Sequence, residues 1–390
     1  MIDLFIMICL VAIAIPFFAY PFLLWVRATF APSSIHPAQH TPEVDLIIAA
    51  HDEEDSIEAR IENALSLDYP PDRLRIWIAS DGSEDATVAI SRRFEASGVR
   101  VLDLPRGGKA AAIVQVVEAS GAEILAFSDA NSHWRPDALR CLLSPFADPA
   151  VGGVAGDQRY VEAGSSSAES LGERGYWSFD RVLKRWQSRA GNVISATGAI
   201  YAIRRVCFEA PPPDATDDFM ISTGVIAAGQ RLVFAEDAVA LEPPADSTQG
   251  EFRRKVRIIT RGIRAVGYRR GLMNPFRTGL YAVELLVHKL WRRLVWLPSS
   301  ALVLSTPFVL LSPSRLGWIS LVFCAVALFG TVGRLWPALT RFRLVALASY
   351  VVMVNAACAL ATLNALRGRR IARWEPERLA PSSVSPESTP

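Results

Sequence analysis

The sequence has few residues that bind zinc or form disulfides. Five cysteines and five histidines occur in 390 residues, and the cysteines lie far apart, at Cys9, Cys141, Cys207, Cys324 and Cys358. There is no C-x-x-C pair and no Cys/His cluster, which argues against a zinc site and a disulfide framework. His36, His40, His133 and His288 form no constellation. The low cysteine content fits a main domain in a reducing compartment.

The chain also lacks an excess of either charge. Its 41 Lys and Arg face 39 Asp and Glu, a net charge of +2, so no overall field attracts nucleic acid. Hydrophobic residues make up 51% of the chain and are concentrated at its two ends. A chain of 390 residues has room for two or three modules.

The N-terminal end is a long apolar run. Between Ile2 and Phe30 the only charges are Asp3 and Arg27. About 20 helical residues cross a bilayer, so residues 1–30 are predicted to be a transmembrane helix, followed by a linker at 31–43. A cleaved signal peptide is the alternative, but no basic stretch precedes the run, and the run is longer than such segments require.

The C-terminal end is also apolar. Residues 294–366 contain three runs that we expect to be transmembrane helices, at 294–311, 316–333 and 344–366. Residues 246–293 are predicted to form basic amphipathic helices at the membrane interface, and Tyr281–Trp296 is interpreted as one of these. Residues 367–390 form a basic, then Pro-, Ser- and Glu-rich tail, for which disorder is expected.

The charges beside these runs predict an orientation and raise a conflict. Asp3 precedes the first run and Arg27 follows it, which predicts a cytoplasmic middle domain in an integral protein of a bacterial-type inner or plasma membrane. Three C-terminal spans then place Arg367, Arg369, Arg370 and Arg373 on the opposite side, against the positive-inside tendency. Either one run is re-entrant or the number of spans differs by one.

The middle of the chain alternates apolar strands with amphipathic helices. The pattern predicts an α/β domain at residues 44–245 with a mostly parallel sheet. The predicted strands are Val44–Ala50, Leu74–Ser80, Val99–Leu104 and Glu123–Phe127, and the predicted helices are Asp55–Leu67, Asp85–Ala96 and Lys109–Ala119. In such sheets, ligands bind beyond the carboxyl ends of the strands.

Acidic residues follow three of these strands, in the segments His51-Asp52-Glu53-Glu54, Asp81-Gly82-Ser83 and Asp129-Ala130-Asn131. Carboxylates that converge on one edge repel each other unless a cation or hydrogen-bond donors compensate them. A divalent ion with oxygen ligands, carrying phosphates, accounts for the pattern.

The chain from about Val44 to Arg264 resembles family 2 glycosyltransferases of the GT-A fold, including the cellulose, hyaluronan and poly-N-acetylglucosamine synthases. The matching motifs, each weak alone but strong in this order, are Ala50-His51-Asp52-Glu53-Glu54, Asp81-Gly82-Ser83, Gly108-Lys109-Ala110, Asp129-Ala130-Asn131, Thr197-Gly198-Ala199 and Thr216-Asp217-Asp218. The resemblance implies that Glu53, Asp81 and Lys109 bind the nucleotide. For Asp81 the alternative is a helix cap or turn residue.

The resemblance further implies that Asp129 and Asn131 occupy the family's D-x-D metal motif, with Asp129 also binding the nucleotide-sugar. The third motif position is Asn here, which offers a carbonyl oxygen but no charge. Asp218, or else Asp217, matches the catalytic base. The alternatives are a turn at Asp129 and capping of a helix at Phe219–Ala228 by Thr216 and the two acids.

On the acceptor side, the resemblance assigns Thr197, Gly198 and Arg254 to the acceptor and Arg257 to the diphosphate. Ile258 stands where processive synthases have a tryptophan, a departure that argues against polymerisation. Eight basic residues between Glu251 and Gly271 alternate with apolar ones at helical spacing. A helix lying on anionic lipid explains most of them equally well.

These observations predict an inverting glycosyltransferase that uses Mg²⁺ or Mn²⁺ and moves a hexose or N-acetylhexosamine from a UDP-sugar to a glycan acceptor. Its expected partners are the nucleotide-sugar, the acceptor and membrane lipids, with no nucleic acid. The alternatives are transfer of one sugar to a membrane lipid, such as a polyprenyl phosphate or glycolipid, an inactive nucleotide-binding scaffold, and a nucleotidyltransferase. The intact Asp81, Asp129 and Asp218 argue against the scaffold, and the Thr216-Asp217-Asp218 motif and apolar runs argue against a nucleotidyltransferase.

Overall fold

The centre of the molecule is an α/β domain. A computed structural model describes residues 1–38, 40–160, 168–242, 248–311 and 314–369. Within these ranges one mixed sheet has the strand order β3-β2-β1-β4-β7-β6-β8-β5. The strands are β1 Val44–Ala50, β2 Leu74–Asp81, β3 Val99–Leu104, β4 Ile124–Asp129, β5 His133–Trp134, β6 Val151–Tyr160, β7 Tyr201–Arg204 and β8 Arg231–Glu242. The predicted α/β class is confirmed.

Helices cover both faces of the sheet and extend from it. The α-helices are α1 Ile2–Ala14, α2 Tyr20–Phe30, α3 Ile57–Leu65, α4 Thr87–Arg92, α5 Lys109–Ala119, α6 Ala138–Leu143, α7 Ala168–Ala190, α8 Asp217–Ala227, α9 Thr248–Tyr268, α10 Pro275–Thr278, α11 Leu280–Glu284, α12 Arg292–Leu294, α13 Trp296–Leu311, α14 Gly317–Leu335 and α15 Arg343–Leu366. Two segments are π-helical, Ile15–Ala19 and Leu285–Trp291. Short 3₁₀ turns occur at Glu95–Ser97, Ser144–Ala147, Arg205–Cys207, Arg270–Met273 and Pro337–Arg341.

The parallel half of the sheet forms from the strands that the sequence predicts. All seven residues of β1 are buried, because β2 and β4 flank it in parallel and helices cover both faces. Successive side chains alternate between two apolar layers. Leu46 and Ile48 face the layer of α3 and α6, whereas Ile47 and Ala49 face that of α5 and α8.

Boundaries differ from the predictions by a few residues. β4 continues to Asp129, which pairs with Ala49, so the first residue of the Asp129-Ala130-Asn131 motif ends the strand itself. The second predicted helix begins at Thr87 instead of Asp85. The Asp85 side chain accepts a hydrogen bond from the Thr87 N–H at 2.9 Å, and this local turn competes with helix formation.

Four helices are long and apolar enough to cross a membrane: Ile2–Phe30, Leu280–Leu311, Gly317–Leu335 and Arg343–Leu366. One N-terminal and three C-terminal helices agree with the predicted number. The predicted interfacial helix Tyr281–Trp296, however, is continuous with the run that follows. Arg292 of this helix lies over the aromatic rings of Phe17 and Phe179, and such contacts stabilise its charge within an otherwise apolar helix.

The apolar helices dock directly on the α/β domain. Tyr281 and Leu285 belong to the same buried layer as Phe219 and Ile221 of α8, and α9 packs along α15. The predicted boundary at 245/246 and the tail after Arg373 lie outside the described residues.

Candidate functional site

The carboxyl ends of β1, β2 and β4 meet at one edge of the sheet, as parallel strands require. Glu53, Asp81 and Asp129 lie at or just beyond these ends. Burial raises the pKa of Glu53 and the nearby charge of Asp129 adds to the rise, while a hydrogen bond from Ser56 opposes it. The three predicted acids therefore share one region of the molecule.

Asp81 holds the loop that begins α5. Its Oδ1 accepts hydrogen bonds from the N–H groups of Gly107 and Gly108, both at 2.7 Å, and its Oδ2 lies 3.3 Å from Arg106. Gly82 adopts a φ of +63°, and a Cβ there would lie 2.8 Å from the Arg106 nitrogen, so this turn requires glycine. The geometry makes Asp81 a positioning residue for Lys109, and its predicted contact with the nucleotide stays a prediction.

Lys109 joins two of the predicted motifs. Its ammonium group contacts Asp129 and lies 3.4 Å from Asp217. Burial by itself lowers the pKa of Lys109, but Asp129, Asp217 and Asp218 outweigh that effect and the net shift is upward. The cation predicted to reach a nucleotide thus neutralises the carboxylates of the same site.

Asp129 and Gly198 are in close contact. A Cβ placed on Gly198 would lie 2.6 Å from Asp129 Oδ2, so a residue other than glycine would displace the carboxylate. Thr197 precedes this contact, and its hydroxyl is buried without a hydrogen-bond partner among the described residues. Asn131, two residues after Asp129, is exposed. The predicted metal motif and acceptor loop therefore meet.

Asp217 and Asp218 are the first two residues of α8. Thr216 makes no side-chain capping bond, whereas Asp218 Oδ1 accepts from the Phe219 N–H at 2.7 Å. Burial raises the pKa of Asp218 to about 6, with the charge of Asp217 as the second cause. A half-buried carboxyl with such a pKa suits a general base near neutral pH.

Arg254 and Arg257 lie on α9, partly buried, and Ile258 is 48% exposed. Their predicted roles at the acceptor and the diphosphate stay predictions. The exposure of Ile258 shows that this position forms no buried platform in the structure.

The sequence interpretation missed a buried acid beside the site. Glu242, at the end of β8, accepts hydrogen bonds from Ser132 and Gln158, and burial raises its pKa to about 7. It lies near enough to Asp129 for that charge to add to the rise. The sequence did contain a signal for this acid. Glu242 ends an apolar strand directly before Pro243 and Pro244, as the other acids of the site follow their strands.

Among the described residues, no group of three or more His, Cys, Asp and Glu side chains could hold a metal alone. The sequence predicted that a metal ion compensates the negative charge of the converging acids. In the structure, Lys109, Arg106 and backbone N–H groups compensate the charge of Asp129 and Asp81. Asp129 and Asn131 still offer hard oxygen donors, and the Asp129 side chain is 33% exposed. This set fits an ion that completes its shell with phosphate oxygens and water.

A mixed α/β sheet with these motifs at its carboxyl edge, joined to apolar helices, defines the GT-A class of nucleotide-sugar transferase folds. Residues 45–210 match the family model described as "Glycosyl transferase family 2". This segment of the chain is therefore similar to glycosyl transferase family 2 domains.

Curated relatives match part of their length. The N-acetylglucosaminyltransferase of Rhizobium meliloti is 25% identical over 233 residues, which are 55% of this chain and 54% of that protein. The β-monoglucosyldiacylglycerol synthase of Synechocystis sp. is 33% identical over 118 residues, 29% of this chain and 25% of that protein. The chain therefore spans a quarter to about half of these relatives.

One solved structure resembles nearly the whole chain. The mannosyltransferase PcManGT from Pyrobaculum calidifontis, in complex with GDP-Man and Mn²⁺, superposes with a TM-score of 0.70 at 20% identity. The match covers 94% of this chain and 100% of that one. At this identity the similarity establishes the fold.

Proposed function

We propose that the chain is an inverting, metal-dependent glycosyltransferase that takes a hexose or N-acetylhexosamine from a nucleotide-sugar, UDP-linked in our proposal. The observation that carries it is the meeting of Asp129, Lys109 and Asp217 beside the half-buried Asp218 at the carboxyl edge of the sheet. The relatives named for glucosyl and N-acetylglucosaminyl transfer support the donor class. The mannosyltransferase of the same fold, in complex with GDP-Man and Mn²⁺, supports a divalent metal.

In this mechanism Asp218 removes the proton from the acceptor hydroxyl while the acceptor attacks the anomeric carbon from the side opposite the diphosphate. Lys109 and, in our assignment, Arg257 stabilise charge on the leaving diphosphate. Asp129 and Asn131 would hold the Mg²⁺ or Mn²⁺. The bound ion supplies further electrostatic stabilisation of the leaving group.

The acceptor is a glycan or a membrane lipid. Ile258 favours the lipid, because an exposed aliphatic residue offers no aromatic platform to a growing sugar chain. The relative named β-monoglucosyldiacylglycerol synthase also favours it.

The positions of the apolar helices offer a solution to the orientation conflict. α15 packs along α9 as extensively as along α14, and Lys255 of α9 lies 5.5 Å from the Tyr350 ring of α15. In our proposal, the many arginines of α9 lie at the membrane surface. We infer that α15 lies along the cytoplasmic face and that three helices cross. Arg367 and Arg369 then stay in the cytoplasm. A fluorescent protein fused to the C-terminus should fluoresce as cytoplasmic fusions do, whereas export of the fusion contradicts this topology.

The function is tested with the purified full chain in lipid vesicles and radiolabelled UDP-glucose, UDP-N-acetylglucosamine and GDP-mannose. We expect one UDP-sugar to be turned over with Mn²⁺ or Mg²⁺ and a product that carries one sugar. A polymeric product selects the glycan acceptor, and the absence of turnover with every donor and acceptor contradicts the proposal.

A further inference from the structure

The catalytic helix α8 lies between two lysines. Its first residue, Asp217, faces Lys109, and its third residue, Phe219, has Lys289 Nζ 5.4 Å from its ring centroid. Successive residues of a helix point about 100° apart, so the intervening Asp218 lies between the two cations. The charge of Lys289 is near enough to Asp218 to oppose the rise in the pKa of that carboxyl.

The two lysines differ in their partners. Lys109 contacts the carboxylates of Asp129 and Asp217. Lys289 is half-buried, and within the described part of the chain it forms neither a hydrogen bond nor an ion pair; its contact is the ring of Phe219. Asp180 and Asp218 lie near enough to feel its charge, but neither forms an ion pair with it. The ammonium group can therefore take a direct anionic partner from a ligand.

The segment that carries Lys289 also connects it to the membrane. Lys289 belongs to the π-helical stretch Leu285–Trp291 within the apolar helix Leu280–Leu311. The preceding residue, His288, is committed to packing, with its ring 5.9 Å from Tyr20 and its Nε2 3.8 Å from Asp180. π-Helical turns are frequent at functional sites, and this one directs adjacent polar residues to different elements.

We propose that Lys289 binds the phosphate of an anionic lipid acceptor whose headgroup hydroxyl receives the sugar at Asp218. The inference rests on the proposed function. A phosphate is favoured because lysine binds it as a point charge and because membrane lipids carry it beside headgroup hydroxyls. The nucleophile is a hydroxyl and not the phosphate itself, since an anion placed at Asp218 would be repelled by Asp217 and Asp218.

In the transfer step the acceptor oxygen forms a bond to the anomeric carbon, and the bond from that carbon to the diphosphate oxygen breaks. The electron pair leaves with the nucleoside diphosphate, and the hydroxyl proton passes to Asp218. The lipid phosphodiester at Lys289 is unchanged.

The test compares the wild type with Lys289→Met, which keeps the apolar stem of the side chain, and with Lys289→Arg, which restores the charge. Arg334→Ala is the control, an exposed basic residue at the end of another apolar helix. Sugar transfer is measured in phosphatidylcholine vesicles that contain either phosphatidylglycerol or diacylglycerol, and with soluble glycerophosphoglycerol. Donor hydrolysis without acceptor is measured in parallel, and donor-free binding of short-chain phosphatidylglycerol is followed separately.

For Lys289→Met we expect the apparent KM for phosphatidylglycerol and the donor-free dissociation constant to rise about 10- to 100-fold, the range of one charge-assisted hydrogen bond. Donor hydrolysis by Lys289→Met should stay at the wild-type rate. Lys289→Arg should recover most of the transfer, and Arg334→Ala should change neither transfer nor lipid binding.

An equal loss of donor hydrolysis in Lys289→Met assigns the lysine to the donor and overturns the proposal. The proposal is also overturned if the wild type uses diacylglycerol as efficiently as phosphatidylglycerol. Unchanged binding of phosphatidylglycerol by Lys289→Met overturns it as well. Transfer to glycerophosphoglycerol at the same efficiency overturns the lipid assignment. If the wild type turns over no donor, the proposed function fails, and the binding measurement still decides whether Lys289 holds the phosphate.

Discussion

The sheet edge and the junction between the catalytic domain and the apolar helices hold their charges in different ways. At the sheet edge, Lys109 lies between Asp129 and Asp217. Each of these three residues ends a strand or begins a helix. At the junction, Asp180 lies 3.6 Å from Lys184 and 3.8 Å from His288, on the sides of packed helices. The charges at the sheet edge can exchange partners with a ligand, whereas the ion pairs of Asp180 mainly fix how the packed helices meet.

The largest effect should come from Asp218, the proposed base at the sheet edge. Asp218→Asn keeps the size of the side chain but removes the proton acceptor, so sugar transfer should fall about 10²- to 10⁴-fold. Donor affinity, measured by calorimetry, should stay unchanged. Asp237→Asn, at an exposed position of β8, is the control and should keep full activity. Undiminished turnover in Asp218→Asn would remove this residue from the chemistry.

The second effect concerns the contact between Gly198 and Asp129. Gly198→Ala places a Cβ 2.6 Å from Asp129 Oδ2 and must displace the carboxylate. A displacement of about 1 Å near reacting groups costs about 100-fold in rate. Gly121→Ala is the control, because nothing lies within 4 Å of the position that its methyl group would take and its backbone is unstrained. A normal rate in Gly198→Ala, measured at saturating donor, would show that Asp129 need not stay in place.

The pH dependence of transfer tests the charge state of the sheet edge. Burial and Asp217 raise the pKa of Asp218 to about 6, and a general base works only when deprotonated. We therefore expect kcat to be constant above this pH and to fall about tenfold per unit below it. Rates are measured between mildly acidic and neutral pH. An acidic limb with its midpoint at the usual aspartate pKa would contradict the proposed environment.

The smallest effect should come from a hydrogen bond that only packs the helices of the junction together. Tyr20→Phe removes the hydroxyl that accepts a 2.7 Å hydrogen bond from Gln187, which costs about 1 kcal/mol of stability. Thermal unfolding should begin at a slightly lower temperature, and transfer should continue at the wild-type rate. A large loss of transfer at unchanged stability would show that this hydrogen bond serves the chemistry as well as the packing.

Much of the sheet edge was predictable from sequence because its residues follow apolar strands directly. β1 and β3 begin and end where predicted, and Lys109 begins the predicted helix after two glycines. Glu242 was missed because it enters the site from β8, more than 100 residues after Asp129, and strand order is not a local property.

The junction was less predictable for a related reason. The basic residues of Tyr281–Trp296 indicate an interfacial helix when considered alone. In the structure their neighbours are aromatic rings from other helices, such as Phe219 under Lys289 and Phe17 under Arg292. Such tertiary partners let charged residues continue an apolar helix, and helical periodicity carries no information about them.

The central claim is that the sheet edge binds a metal-bound nucleotide-sugar. The most direct measurement is the release of nucleotide from radiolabelled UDP-sugars by the wild type and by Asp129→Ala in lipid vesicles, with Mn²⁺ and with excess EDTA. We predict release with Mn²⁺ in the wild type, and loss of at least 100-fold both in EDTA and in Asp129→Ala, since an ion and its carboxylate ligand stabilise the leaving charge together by about 3 kcal/mol or more. Release that is unaffected by EDTA and by the loss of Asp129 would contradict the claim.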